Sequence, residues 1–422
     1  MTTAARLPLF QFGERSTSLS DALPRALSAA DAAGLDVDLQ PAAETEFTAW
    51  RCVLRRDGRR LAAGMGKGRS RTAKVGSLYE ALEHYYALPS VQNPGEFFAV
   101  RSHGLLTGAL TAEWSVSLLD QFPDAPIGCV RYAMLDGGGT ADVPAYLSLP
   151  AYPELRSEPL RARIGDSWDY PGTPLANYSV NNGWGAGGDL TEATVHGINE
   201  LVERDALSLL LARQFLAPRP GPLTVVDSDT LPDDTALLLE QAERQTGGRV
   251  HVLDMTTDLG IPSYFAYREP QTPMSSRVRG MGTSLSREYA ITRALSEVVQ
   301  TRLAANIAPP VDLRLNHDPD ALRPYPRLHA AFTGDFTGAL RQADVVPYSE
   351  TTAPENPAGH LARLLRLLAE RGYPVLRRTV VDNGGLAVVS MVVPGLERFF
   401  LVSEAHLVVP GRRGLAALSR TR

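Results

Sequence analysis

The chain has 422 residues, 44% hydrophobic and 21% charged, with a formal net charge of −5. That composition belongs to a soluble globular protein with room for two or three domains or one large core, and its acidic balance argues against nucleic acid as a partner. Two cysteines, Cys52 and Cys129, lie far apart and outside any CxxC pair, which excludes a disulfide framework and a cysteine zinc site and fits a reducing cytoplasm.

In chain order, an amphipathic helix is expected over 21–33, with Leu23, Leu27 and Ala30 on one side and Pro24 in its first turn. Strands follow at Leu35–Leu39 and Trp50–Leu54, with a turn at Asp57-Gly58. Gly64, Gly66 and Gly68 surround Lys67, and a helix runs from about Thr72 to Tyr86. Residues 96–150 read as strands and irregular structure. Gly183, Gly185, Gly187 and Gly188 read as a glycine-rich turn into a long helix, the two together filling 181–215. Pro218–Pro222 forms a linker, and the strand–helix–strand alternation at 223–253 is α/β in character. Another helix spans Arg287–Ala304, a proline-rich connection or lid covers 309–326, and Leu361, Leu364, Leu365 and Leu368 mark a helix before strands at 375–381 and 386–393. The N-terminus lacks a signal-peptide stretch, and the most apolar run, Leu386–Leu396, is too short to cross a membrane, so the expected location is the cytoplasm with no membrane partner.

Three helices share a polar pattern. Glu80 and Glu83 stand at i and i+3, Glu200 and Glu203 repeat that spacing, and Arg293, Glu297 and Gln300 fall on one face at i, i+4 and i+7. A glutamate pair on one helix is ordinarily a solvated face. Carboxylates from several helices, however, would hold Mg²⁺ on a nucleotide triphosphate if they converged, with Lys67, Arg204 and Arg293 neutralising the remaining charge. The glycine turn before the long helix suits a phosphate. Gly183-x-Gly185-x-x-Gly188 has the letters of a dinucleotide fingerprint but lacks the preceding hydrophobic strand, and GxxxxGK[ST] is absent, so the chain reads as neither Rossmann nor P-loop.

The stretches GKGRSRTAKVGSLYEALEHY, NNGWGAGGDLTEATVHGINELVERDA and GMGTSLSREYAITRALSEVVQTR, in that order, resemble the three ATP/Mg²⁺ segments of the YcaO family, with LDMTTDLGIPSYFA and VVSMVVPGLE in support. The likeness runs from about residue 60 to 400. It implies a large mixed α/β (α+β) domain with the ATP site between helices and sheet. An N-terminal helix and strand segment (1–59), a catalytic domain (60–400) and a C-terminal tail (401–422) follow. It implies Glu80, Glu83, Glu200, Glu203 and Glu297 as Mg²⁺ ligands, Glu192 beside them at the cofactor, and Arg204, Arg293, Gln300 and Ser77 at the nucleotide. Ser77 stands one place after the family's serine position, occupied here by Gly76, and His84 replaces a usual arginine.

Members of that family use ATP to activate a backbone amide oxygen of a peptide. The helix segment HGINELVERDALSLLL looks like those of microcin-type cyclodehydratase subunits, which implies azoline formation from Cys, Ser or Thr in a ribosomally made precursor peptide. Leader recognition would fall to a partner protein, and a flavin-dependent dehydrogenase would be a further partner. Thioamide or amidine formation is the alternative, and a non-catalytic scaffold is a third reading. The proline-rich carboxyl end of many azoline-forming members is replaced here by GLAALSRTR.

Overall fold

Three sheets, largely antiparallel, carry the fold in the computed structural model, which describes residues 13–150, 173–270, 278–307 and 318–419. The first comprises β1 (Asp36–Pro41), β2 (Phe47–Arg56) and β3 (Arg59–Arg69) in that order, with Trp50 opposite Gly66 and Cys52 opposite Gly64. Helices α1 (Leu19–Ala32) and α2 (Ser70–Ala87) pack with it around Leu54, Leu78 and Leu82. The α1 helix starts two residues earlier than its pattern predicts. Pro24 therefore lies past the first turn and costs one backbone hydrogen bond. The sequence boundary at 59/60 falls inside the β2–β3 hairpin.

The six-stranded sheet contains β4 (Phe97–Arg101), β5 (Pro126–Met134), β6 (Thr140–Pro144), β7 (Trp184–Gly187), β13 (Leu376–Asp382) and β14 (Ala387–Val392). Its order is β4-β5-β13-β14-β7, and β6 pairs with β5. The long helix α3 (Leu190–Leu211) lies on β7 and β14 and runs into a π-turn at Ala212–Leu216. Asp189 caps it by accepting from the amides of Thr191 (2.8 Å) and Glu192 (2.9 Å).

The five-stranded sheet runs β11-β10-β9-β8-β12, from β8 (Thr224–Val226), β9 (Val250–Asp254), β10 (Ser263–Arg268), β11 (Arg279–Thr283) and β12 (Asp344–Val346). Helices α4 (Asp233–Thr246) and α5 (Arg287–Ile307) cover it through Leu238, Leu239, Ile291, Leu295 and Val298. Across the strand–helix–strand alternation at 223–253, β8 and β9 pair antiparallel, and β8 pairs in parallel with β12. Residues 309–317 of the proline-rich stretch lie outside the described residues. The rest forms a 3₁₀ turn at Pro319–Leu322 and opens α6 (Pro326–Thr333).

After α7 (Pro357–Ala369), the chain returns through β13 and β14 to a 3₁₀ helix, Phe399–Glu404, and ends in α8 (Arg412–Ser419). Leu401, Val402, Ala405 and Val408, inside the stretch expected as a tail, are core residues. No helix among the described residues is long and apolar enough to cross a membrane.

Candidate functional site

One local device recurs three times. A strand bearing Gly-x-Gly lies under the helix that follows it: Gly64 and Gly66 of β3 under α2, Gly185 and Gly187 of β7 under α3, Gly280 and Gly282 of β11 under α5. A methyl group on Gly66 would sit 1.7 Å from the Ala73 carbonyl oxygen, one on Gly185 2.4 Å from that of Ala193, and one on Gly282 2.0 Å from that of Ala290. A bare strand lets the helix backbone come this close. This corrects the phosphate-cradling reading of the 183–188 glycines. They belong to β7 and its flanks, and the helix amides behind them are capped by Asp189 and its neighbours rather than bare.

Each of these helices also leans on the next unit: α2 on β7, α3 on β10 and β11, α5 on β2 and β3. The glutamates of all three helices thereby meet. Glu83 of α2, buried, accepts the Ala186 amide of β7 (3.1 Å), and burial together with the charges of Glu200 and Glu80 lifts its carboxyl well above the usual range. Burial pushes Glu200 up to about 7, with Glu203 and Glu80 adding to the effect and Arg204 and Arg293 opposing it. Burial and neighbouring Glu297 raise Glu203. Burial raises Glu80, against His84 and Lys67. Glu297 departs from this trend. Although burial works against it, Lys67, Arg204 and Arg293 hold its carboxyl below the usual range, and Lys67 forms an ion pair with it.

The two arginines keep part of their donor set free. Arg204 lies over the Phe400 ring (5.4 Å) and Arg293 over the Tyr289 ring (5.9 Å). Nε of both, and Oε2 of Glu203, are buried with no hydrogen-bond partner among the described residues. Gln300 Nε2 donates to the Met65 carbonyl and ties α5 to β3 beside Lys67.

Two expected residues are turned elsewhere. Ser77 is fully buried under β3, and its hydroxyl donates to the Lys74 carbonyl (2.8 Å), so packing leaves it no path to a ligand. Glu192 accepts the amides of Thr17 (2.9 Å), Gly188 (2.8 Å) and Ser16, which commits its carboxylate to the N-terminal segment. That segment also delivers Glu14, a buried carboxylate accepting from Asn199 Nδ2 (3.1 Å) and from the Ser284 hydroxyl (2.5 Å). No sequence pattern points to Glu14, because its partners lie 185 and 270 residues away. His196 is a different omission: it stands four residues from both Glu192 and Glu200, and helical spacing alone places it on their stripe.

The donor set fits a metal–polyphosphate. Among the described residues no three Asp, Glu, His or Cys side chains form a ready cation cage. Mg²⁺ on phosphates needs only one or two carboxylates at a time, the rest being water and phosphate oxygen. Like-charged carboxylates crowded in a buried space raise one another's pKa, and a bound cation relieves that repulsion. The unpartnered Nε atoms of Arg204 and Arg293 opposite are free to donate to an anion. One ligand carrying both signs satisfies the two sides together.

Comparison with known proteins bears on the same region. The structure of YcaO from Methanopyrus kandleri bound with AMPPCP and Mg²⁺ superposes with a TM-score of 0.66 at 19% identity, over 96% of this chain and 97% of that one. A heterocyclase in complex with substrate and cofactor gives 0.64 at 19% identity, over 93% of this chain and 55% of that one. The E. coli microcin synthetase McbBCD complex with pro-MccB17 bound gives 0.55 at 14% identity, over 86% of this chain and 88% of that one. At these identities the likeness is one of fold. In sequence, an uncharacterised protein of Methanothermobacter thermautotrophicus is 30% identical over 229 residues, 54% of this chain and 58% of that protein. One in the tfuA 3′ region of Rhizobium leguminosarum bv. trifolii is 29% identical over 239 residues, 54% of this chain and 49% of that protein. The chain thus spans about half the length of these two relatives. Residues 65–397 match the model of the YcaO cyclodehydratases, described as ATP- and Mg²⁺-binding, and the chain belongs to the YcaO family.

Proposed function

We propose that this chain is an ATP-dependent cyclodehydratase that activates backbone amides of a ribosomally made precursor peptide. In this reading Glu80, Glu83, Glu200, Glu203 and Glu297 hold Mg²⁺, while Lys67, Arg204 and Arg293 face the phosphates and Gln300 steadies the nucleotide side of β3. The single observation that carries it is the convergence of raised, buried carboxylates from α2 and α3 with Glu297 of α5 beside unpartnered guanidinium nitrogens.

ATP supplies a phosphoryl group that turns the amide oxygen, a poor leaving group, into phosphate. The chain's own residues then contribute positioning and charge compensation. Glu83 is braced by the Ala186 amide and Arg204 by the Phe400 ring, so both keep their directions without reorganising during the reaction. No protein nucleophile is needed, because the Cys, Ser or Thr side chain of the peptide adds to the carbonyl carbon of the residue before it. Cys52 and Cys129 are buried, and burial raises both thiols far from reactivity.

Leader recognition and any oxidation of azoline to azole are assigned to separate partner proteins, the latter to a flavin-dependent dehydrogenase. Two neighbours support partnership: a heterocyclase with substrate bound that is nearly twice the length this chain covers, and a microcin synthetase built as a McbBCD complex. The test is mass spectrometry of a short Cys/Ser/Thr/Gly-rich peptide, encoded beside this protein, after incubation with ATP and the neighbouring gene products. A loss of about 18 Da per site is expected for an azoline, and a gain of about 16 Da would instead mean a thioamide. No ATP-dependent change in peptide mass overturns the reading.

A further inference from the structure

The N-terminal segment follows the stripe of α3 that leads into the site. Glu192, Asn199 and Glu203 stand on one face of that helix, at i, i+7 and i+11. The amides of Ser16 and Thr17 meet Glu192, and Glu14 meets Asn199, so residues 14–17 run against the direction of α3. Glu203 is one turn beyond Asn199, and Glu200 is the next residue in the chain.

Glu14 is where this segment joins α3 to α5. A single oxygen, Oε1, accepts from Asn199 Nδ2 (3.1 Å) and from the Ser284 hydroxyl (2.5 Å). The Ser284 hydroxyl in turn accepts the Ser286 amide (3.0 Å), and the Ser286 hydroxyl accepts the Tyr289 amide (3.2 Å) in the first turn of α5. Glu14, Asn199, Ser284 and Ser286 are all buried. Asn199 Oδ1 has no hydrogen-bond partner among the described residues, which leaves the bond to Glu14 to orient its amide. Buried His360 of α7 brings Nδ1, also without a hydrogen-bond partner among the described residues, no closer than 3.7 Å to the same oxygen. A carboxylate buried among neutral donors is a costly way to fill space, and an apolar side chain would do that better. Its charge is felt at the site as well: although burial works against it, Tyr289, Glu203 and Glu14 hold the Arg293 guanidinium above its usual range.

We propose that Glu14 is a positioning residue of the nucleotide site, its carboxylate tying Asn199 of α3 to Ser284 ahead of α5 and so fixing Glu200 and Glu203 against Arg293 and Glu297. This rests on the nucleotide reading given under the proposed function. The test is calorimetric binding of Mg²⁺-AMPPCP to the unaltered protein, Glu14→Leu, Glu14→Gln and Ser284→Ala, well below the melting temperature of each. Leucine keeps the volume without an acceptor, whereas the glutamine amide oxygen can take both bonds in place of Oε1. Binding about tenfold weaker is expected for Glu14→Leu with a native circular dichroism spectrum. Glu14→Gln should recover to within about threefold, the remainder reflecting the lost charge. Folded Glu14→Leu with unaltered affinity would make the residue merely structural and overturns this inference while the nucleotide site stands. Glu14→Gln as weak as Glu14→Leu also overturns it, because the charge rather than the bridge would then be what matters. Failure of the unaltered protein to bind overturns both readings. Should Glu14→Leu not fold, Ser284→Ala decides, since it cuts only the α5 end of the bridge: weakening of about threefold or more supports the bridge, and unchanged affinity refutes it.

Discussion

Replacing Gly66 by alanine tests the claim that the glycines beside Lys67 serve packing rather than phosphate binding. The added methyl would lie 1.7 Å from the Ala73 carbonyl oxygen and 2.5 Å from the Ser77 amide, both main-chain atoms of α2 that no rotamer can move aside. Strand and helix must part by roughly 1.5 Å to reach ordinary contact, at a cost of about 3 kcal/mol for overpacking. Over a chain of 422 residues that lowers Tm by only about 3 °C. Activity is the sharper reading, because the same displacement separates Glu80 and Glu83 from Lys67 and Glu297, and a misplacement of about 1 Å can cost roughly a hundredfold in rate. Gly76→Ala is the control. Its methyl would meet only the Gly66 Cα at 3.7 Å, so alanine in mid-helix should stabilise by about 0.5–1 kcal/mol and leave ATP-dependent turnover intact. If Gly66→Ala melts and turns over like the unaltered protein, the close strand–helix packing is wrong.

Three further outcomes follow from the charges. Glu203→Gln and Glu297→Gln should each reduce ATP-dependent peptide modification at least about a hundredfold while the circular dichroism spectrum stays native; normal turnover in both would refute their roles. Glu200 titrates at about 7 in the folded chain against an ordinary 4.5. A raised carboxyl pKa stabilises the fold fully below the unfolded value and loses that contribution as pH climbs through the folded one. In EDTA, therefore, Glu200→Gln should gain Tm relative to the unaltered protein between pH 5 and pH 8, and a difference independent of pH would contradict the assignment. Arg413 of α8 bonds the fully buried Asp205 of α3 (2.7 Å) and also Asp258 (2.5 Å). Arg413→Ala strands the Asp205 charge and should cost about 3–5 kcal/mol in urea unfolding; a loss below about 1 kcal/mol would show the pair to be dispensable.

The helices were legible because apolar residues recur at helical spacing in each, and α2, α3 and α5 lie within a few residues of where that spacing puts them. Strand β3 was not. RRLAAGMGKGR carries the residues of a loop, and its strand character comes from β2 on one edge and from α2 pressing on its glycines. The β7 glycines misled for the same reason: a residue with no side chain can make a turn or admit a neighbour, and only the neighbour decides which. At the site, the i, i+3 glutamate pairs could be read locally. Glu14 and Phe400 could not, since each reaches its partner only through the folded chain. Glu192 shows the converse, a residue on the acidic stripe whose carboxylate is taken by the amides of Ser16 and Thr17 from the N-terminal segment and of Gly188.

The most direct measurement is anomalous diffraction from crystals grown with AMPPCP and Mn²⁺ in place of Mg²⁺. Carboxylates of α2, α3 and α5 that share one nucleotide should place manganese peaks among Glu80, Glu83, Glu200, Glu203 and Glu297, within about 2.2 Å of their oxygens. Nucleotide density at the α3 N-terminus with no metal peak between the three helices would contradict the account.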